Sequence, residues 1–225
     1  TSNRALPAGK LSFNTVFWGA ISCTLAAAML LVSGVNYLAA GLTLLGLCSY
    51  VLLYTIVLKP RTTQNIVIGG AAGATPPLIG WAGAAAESIN SVNPLDLGSP
   101  IPWMLFALIF FWTPPHFWAL AWKLDEDYKK AGFRLLPSGN KDQKSAFQIM
   151  LYSAFLIPVS MLPWAAEICG IYSMVAGVLL SVIMYYPAVK LFFTLDTKFA
   201  TRLMFFSFVY LPLIFSVYCL DLNLN

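Results

Sequence analysis

Three adjacent acids, Asp125, Glu126 and Asp127, follow an apolar aromatic run that contains the only histidine of the chain, His116. Carboxylate oxygens suit Mg²⁺, which typically binds through one or two carboxylates together with substrate phosphates. Zinc would favour cysteine or histidine ligands instead. The acids therefore indicate a site for a divalent ion and a phosphate group, and the simpler alternative is a solvated helix end.

Cations lie close to these acids in the sequence and again after an earlier apolar run. Lys130 and Arg134 follow the acids directly, whereas Lys59 and Arg61 precede the polar segment 62–65. A basic pair just before a helix N-terminus favours an anion, through charge and through free N–H groups. The alternative is ordinary anchoring of membrane helices by positive residues.

The composition predicts that membrane helices position these residues. The 225 residues are 59% hydrophobic and 10% charged, whereas soluble domains carry about 25% charged residues. A membrane-spanning helix needs roughly 20 apolar residues, and backbone groups in hydrocarbon must pair within the segment. We therefore predict an all-α polytopic membrane bundle. Its seven spans are about 11–34, 36–58, 64–86, 102–122, 147–166, 168–190 and 202–220.

The positive charges support this number of spans. The Lys and Arg residues, 13 in total, fall in four segments that seven alternating spans place on one side of the membrane. The opposite connections carry acids and neither Lys nor Arg. Such asymmetry marks the basic side as cytoplasmic. The net charge of +4 therefore reflects topology, and no nucleic-acid partner is expected.

Two Thr-Pro-Pro sequences, at 75–77 and 113–115, fall within the third and fourth spans. Proline lacks the backbone donor and clashes with the preceding helical turn. We therefore predict that both spans bend or break around a cavity, with simple packing kinks as the alternative. Gly69 and Gly73 form a GxxxG pair in the third span, which predicts close helix approach.

His116 is a candidate functional residue because ionisable side chains are rare at membrane depth. If the helix continues from His116 to Asp127, a rotation of about 100° per residue places both on one face, near Trp112 and Lys123. The two would then be about 16 Å apart along the axis, with His116 deep in the same cavity. The alternative is a histidine that is hydrogen-bonded to a neighbouring helix.

Two long segments carry a family resemblance: YTIVLKPRTTQNIVIGGAAGATPPLIGW and TPPHFWALAWKLDEDYKKAGFRLLP. They resemble the corresponding regions of the protoheme IX farnesyltransferases, or heme O synthases, a family of UbiA-type intramembrane prenyltransferases. The opening TSNRALPAGKLS is similar to the end of the family's first polar loop. The resemblance covers essentially the whole chain.

The resemblance implies a nine-helix bundle around a central cavity. Residues 1–225 would form a single transmembrane domain with seven of the nine helices, and the first two helices and the first Asp-rich motif would precede Thr1. The second Asp-rich motif corresponds to 125–127, with Asp127 the best match. Asp125 and Asp127 would bind Mg²⁺ together with the first motif. We therefore expect this chain to be inactive alone.

The reaction that the resemblance implies is transfer of a farnesyl group from farnesyl diphosphate to a vinyl group of heme B, which makes heme O for terminal oxidases. The carboxylates at 125–127 would be catalytic. His116 would orient heme, through a propionate, proton transfer or iron ligation. The diphosphate-binding residues would be Lys59, Arg61, Lys130, Arg134, Asn65 and Tyr54.

The family also implies a location and partners. The protein would lie in a bacterial inner membrane or a mitochondrial inner membrane, with its active site on the cytoplasmic or matrix side. Heme A synthase and oxidase assembly proteins are candidate partners. Three alternatives stay open: a UbiA-type enzyme with a quinone or chlorophyll precursor as acceptor, a membrane transporter, and a heme-handling assembly protein. Transporters usually place ionisable groups near the midplane, whereas every Asp, Glu, Lys and Arg of this chain is predicted to lie at a membrane face.

Overall fold

The chain folds as a bundle of helices. The computed structural model describes residues 4–84, 97–126, 136 and 141–222, and no strand occurs in these ranges. Seven helical segments are long and apolar enough to cross a membrane, which confirms the seven predicted spans. Their bounds are Phe13–Gly34, Tyr37–Arg61, Asn65–Ala84, Pro100–Lys123, Gln143–Ala165, Ile171–Thr194 and Thr197–Leu222.

Several of these segments consist of more than one helix. The second span includes a π-helical segment, Ser49–Leu58, and the third and fifth spans are each divided in two. The α-helices given for the described residues are α1 (Phe13–Gly34), α2 (Tyr37–Cys48), α3 (Lys59–Arg61), α4 (Asn65–Gly73), α5 (Pro76–Ala84), α6 (Pro100–Lys123), α7 (Gln143–Ser160), α8 (Leu162–Ala165), α9 (Ile171–Thr194) and α10 (Thr197–Leu222).

Helix α6 is the centre of the bundle. It packs against α4, α5, α7 and α10, and α9 packs against α7 and α10. Trp118 and Trp122 of α6, Leu156 of α7 and Tyr210 of α10 are fully buried in this core. Large apolar side chains cover much of the outer surface, as expected where the surrounding solvent is lipid.

Helices α4 and α5 run antiparallel to α6. Gly70 of α4 lies against Thr113, and Pro77 of α5 lines a cavity with Ile101 at the other end of α6. The chain therefore brings Lys59 and Arg61, just before α4, to the same end of the bundle as Lys123. We call this end the basic end.

Helix α10 also runs antiparallel to α6, so its N-terminus lies at the basic end. Ser207 contacts His116 in the second half of α6, whereas Tyr218 and Ile101 line one cavity at the opposite end. The Lys123 ammonium lies 5.2 Å from the ring centroid of Phe205. The short connection between α9 and α10 therefore also lies at the basic end.

The two Thr-Pro-Pro sequences behave differently. The third span is interrupted as predicted, because α4 ends at Gly73 and α5 begins at Pro76. The fourth span is not interrupted, since α6 continues through Pro114 and Pro115. The hydroxyl of Thr113 donates to the Ile109 carbonyl of the preceding turn at 2.7 Å, a local bond that serine and threonine can make inside helices.

Asp142 is the N-cap of α7, and replacing it tests whether the cap stabilises the start of this helix. Its carboxylate accepts from the Ser145 N–H at 2.8 Å, and this bond lowers the pKa of Asp142 below its ordinary value of 3.8. Asp142→Ala is expected to destabilise the helix start by about 1 kcal/mol at neutral pH. Folding lowers the pKa of the Asp142 carboxyl. The extra stability of wild type over Asp142→Ala is therefore fully present at pH values above the ordinary pKa, and it is lost as the pH falls through the folded-state pKa.

Equilibrium unfolding in detergent as a function of pH measures this contribution. Asp142→Asn is the matched control, since asparagine caps a helix about as well as aspartate but does not titrate. Equal stability of Asp142→Ala and wild type at neutral pH would contradict the capping role.

Candidate active site

An open cavity of about 210 Å³ lies between the π-helical segment, α4 and α6. Helix α4 contributes Ile66, Gly69, Gly70 and Gly73. These residues follow the spacing i, i+3, i+4 and i+7, which places them on one helical face. At the three glycines this wall consists of backbone alone.

The opposite wall consists of aromatic and aliphatic side chains. Helix α6 contributes Ile109, Trp112, Thr113 and Phe117, which extend about 12 Å along the axis. Two tyrosines of the π-helical segment close a third side, and the rings of Tyr50 and Tyr54 stack with centroids 5.4 Å apart. The cavity is therefore long, mostly apolar and able to accept a hydrocarbon chain.

The glycines of α4 have different neighbours. A Cβ atom at Gly69 would overlap the ring of Tyr54, and one at Gly70 would lie 3.3 Å from Thr113 Cγ2. A Cβ at Gly73 would meet nothing within 4 Å. The predicted close approach is therefore confirmed at Gly69, where a side chain approaches, whereas Gly73 borders open space.

Gly69→Ala is expected to destabilise the fold because the new methyl group displaces the Tyr54 ring. Overpacking of this kind typically costs about 1–3 kcal/mol. Gly73→Ala is the matched control, and we expect it to be neutral or slightly stabilising, since alanine has the higher helix propensity. Unfolding free energies in detergent separate the two variants. A Gly69→Ala protein as stable as Gly73→Ala would contradict the packing described for Tyr54.

Polar residues lie where the cavity meets the basic end. Asn65 begins α4, is fully buried and donates from Nδ2 to the Thr62 carbonyl at 2.7 Å. Its neighbour Ile66 lines the cavity. Lys59 is half-buried and Arg61 is exposed. The predicted residues Tyr54, Asn65, Lys59 and Arg61 are thus all found along the cavity or at its basic end.

The predicted acids begin directly after α6, at the same basic end. Asp125 is 7% exposed and therefore buried, whereas Glu126 is exposed. Asp127, Lys130 and Arg134 lie outside the described residues. Within the described ranges, no group of three or more His, Cys, Asp or Glu side chains could bind a metal. The described residues thus supply two of the three predicted carboxylates.

The alignment of His116 with Asp127 depended on an unbroken helix between them, and the structure does not meet this condition. Helix α6 ends at Lys123, and Leu124 leaves helical geometry with φ −102° and ψ 23°. The three-turn alignment of the histidine with the acids therefore does not apply. Trp112 does share the face of His116, as predicted, because their rings stack with centroids 4.4 Å apart.

His116 lies between α6 and α10. It is 6% exposed, and its Nδ1 is 2.6 Å from the Ser207 hydroxyl. The Trp112 indole donates to the Ser207 carbonyl at 3.0 Å and also lines the cavity. Trp112 therefore connects the cavity to the histidine. No sequence pattern indicates a role for Ser207, because a single serine in an apolar helix usually bonds its own backbone.

Comparisons with known proteins agree with this geometry. The UbiA prenyltransferase family matches residues 1–209. A protoheme IX farnesyltransferase of Prochlorococcus marinus strain MIT 9515 is 56% identical over 190 residues, which cover 83% of this chain and 51% of that protein. A protein of the same name from Parasynechococcus marenigrum strain WH8102 is 65% identical over 137 residues, which cover 61% of this chain and 39% of that protein.

The chain spans about half the length of the curated relatives it matches. No solved structure is significantly similar to it. The family match covers most of the chain, and the helical bundle with its open apolar cavity is consistent with it. The chain belongs to the UbiA prenyltransferase family.

Proposed function

We propose that this chain carries the catalytic region of a membrane enzyme that transfers a farnesyl group from farnesyl diphosphate to a vinyl group of heme B, which yields heme O. Relatives that are 56% and 65% identical to this chain over the matched residues bear the name protoheme IX farnesyltransferase. The observation that carries the proposal is the position of Asp125, Lys59 and Arg61 at the same end of the bundle, where the α4–α6 cavity begins. One end would bind a charged head group, and the cavity would bind a hydrocarbon chain.

The carboxylates fit a magnesium ion that is bound together with a diphosphate. Asp125 and Asp127 would hold it, with Glu126 close by. Two carboxylates plus substrate phosphates are a common set for Mg²⁺. When bound, the ion would neutralise charge on the diphosphate leaving group. The buried position of Asp125 supports a role for this carboxylate beyond solvation of the helix end.

The cations would bind the diphosphate oxygens that face away from the carboxylates. Lys59 and Arg61 would approach from the N-terminal side of α4, and Lys130 and Arg134 from the segment after the acids. Asn65 and Tyr54 would line the head-group site where the cavity begins. The prenyl chain would then extend from this end between α4 and α6, a length of about 12 Å from Phe117 to Ile109.

The reaction has a simple balance. The bond between C1 of the farnesyl group and the diphosphate oxygen breaks, and both electrons leave with the diphosphate. The vinyl group of heme B forms a bond to C1, and the resulting cation next to the porphyrin ring takes hydroxide from water with release of a proton. The aromatic and apolar walls of the cavity would exclude water until the carbon–carbon bond has formed.

The active site would face the cytoplasm, or the matrix if the membrane is mitochondrial, since the basic end carries the positive residues. His116 would orient the heme from the α6–α10 side, with Trp112 between it and the prenyl chain. Heme A synthase and oxidase assembly proteins remain candidate partners.

An assay with two proteins tests the proposal. One is the chain alone, and the other is the chain extended before Thr1 with the N-terminal segment of the Prochlorococcus marinus relative. Each is incubated with heme B, farnesyl diphosphate and Mg²⁺, and the heme is analysed by mass spectrometry. We expect heme O only from the extended protein. If a quinone or chlorophyll precursor is prenylated and heme is not, heme is the wrong acceptor. If heme binds but no farnesyl group is transferred, the protein is a heme carrier.

A further inference from the structure

Ser207 is a fully buried serine of α10 that makes two short hydrogen bonds. Its Oγ is 2.6 Å from His116 Nδ1 and 2.6 Å from the Met204 carbonyl oxygen. A carbonyl oxygen only accepts, and a serine hydroxyl has a single proton to donate. The Ser207 proton therefore points at the Met204 carbonyl, and Ser207 Oγ accepts a hydrogen bond from the Nδ1–H of His116.

The opposite arrangement is unfavourable. If Ser207 donated to His116, its oxygen and the Met204 carbonyl oxygen would face each other at 2.6 Å without a proton between them. The Met204 oxygen would also lose its serine donor. The two distances together thus assign the proton of the histidine to Nδ1.

The remaining contacts keep the His116 ring in this orientation. Trp112 stacks on one face at an interplanar angle of 14°, and its indole N–H bonds the Ser207 carbonyl. Phe117 and Phe208 approach edge-on, with centroids 5.0 Å and 4.9 Å from the histidine ring. No side chain or backbone group of the described residues hydrogen-bonds Nε2.

We propose that Ser207 is a positioning residue that fixes His116 as the Nδ1–H tautomer and leaves the Nε2 lone pair for an electron-pair acceptor on the substrate. The identity of that substrate rests on the proposed function. In the neutral ring, Nε2 has no proton to donate to a heme propionate. The heme iron is an electron-pair acceptor, and a hydrogen bond from the other ring nitrogen typically orients a ligating histidine and raises its basicity.

Nitrogen NMR on the whole chain tests the tautomer without any substrate. His116 is the only histidine of the chain, so ¹⁵N-histidine labelling with a histidine-free purification tag reports one ring. For wild type, we expect a protonated Nδ1 and an unprotonated Nε2. Ser207→Ala should shift the ring towards the Nε2–H form, and Ser207→Thr should restore the wild-type spectrum because it retains the hydroxyl.

Ser153→Ala is the matched control. Ser153 is also fully buried and also donates to its own helix, to the Ile149 carbonyl at 2.8 Å. We expect this variant to leave the histidine spectrum unchanged. A wild-type ring with the proton on Nε2, or a Ser207→Ala spectrum identical to wild type, would overturn the positioning role.

Porphyrin titrations test whether Nε2 binds the heme iron. Iron protoporphyrin IX should bind Ser207→Ala about 10–100-fold more weakly than wild type, the usual effect of removing a partner of a metal ligand. Metal-free protoporphyrin IX should bind both equally. Equal weakening for both porphyrins would show a merely structural role and overturn the proposal. If neither porphyrin binds wild type although the NMR result is as expected, Ser207 still fixes the tautomer but heme is rejected as the substrate.

Discussion

Asp125→Asn and Asp127→Asn, each introduced into the extended protein, are expected to lower farnesyl transfer by about 10²–10³-fold. Each change removes a negative oxygen from the proposed magnesium site, and stabilisation of leaving-group charge is worth several kcal/mol. The loss should appear mainly in kcat, because the charge on the diphosphate is greatest in the transition state. Steady-state kinetics of heme O formation at saturating Mg²⁺ measure it.

Asp196→Asn is the matched control for these two variants. Asp196 lies in the α9–α10 connection at the same basic end, and its carboxylate forms a partly exposed ion pair with Lys198 at 2.8 Å. Exposed pairs contribute little, so transfer activity should remain close to wild type. If Asp125→Asn is as active as Asp196→Asn, Asp125 is not part of the metal site. A variant that loses transfer but still binds heme would support the enzyme over a heme carrier.

Gly73→Leu is expected to reduce kcat/KM for farnesyl diphosphate by about 10–100-fold. Gly73 lines the cavity, and a side chain at this position would enter open space instead of colliding with protein. Discrimination in an apolar pocket is worth about 1–3 kcal/mol for each methylene gained or lost. The shorter geranyl diphosphate should be affected less, so the preference for farnesyl over geranyl should fall at least about tenfold.

Gly80→Leu is the control for this substitution. Gly80 lies on α5, is exposed, and a Cβ there would also meet nothing within 4 Å. It does not line the α4–α6 cavity. We expect Gly80→Leu to retain the wild-type preference for farnesyl diphosphate. If Gly73→Leu and Gly80→Leu changed kcat/KM equally for farnesyl and geranyl diphosphate, the prenyl chain would bind outside the α4–α6 cavity.

The sequence was sufficient to predict the seven spans and the grouping of the positive charges. Long apolar windows and the absence of Lys and Arg from alternate connections are properties of the chain itself. Residues close in sequence to a helix end, such as Lys59, Arg61 and Asn65, could therefore be assigned to the basic end. Their order along the chain already determines which membrane face they reach.

Contacts between distant helices could not be predicted in the same way. His116 and Ser207 are separated by 91 positions, and no pattern in either helix indicates that they meet. The end of α6 at Lys123 and its continuity through Pro114 and Pro115 depend on local hydrogen bonds and packing, which propensity alone does not determine. The same limit applies to Trp112, whose position between the cavity and the histidine follows from three-helix packing.

Photolabelling tests most directly whether the head group and the prenyl chain bind along one cavity. The extended protein is irradiated with a farnesyl diphosphate analogue that carries a diazirine on its last isoprene unit, and labelled peptides are mapped by mass spectrometry. We expect Mg²⁺-dependent labelling of 69–73 on α4 and 109–113 on α6, which farnesyl diphosphate prevents. Labelling confined to the cavity near Ile101 and Cys169, or labelling that farnesyl diphosphate does not prevent, would contradict the proposed arrangement.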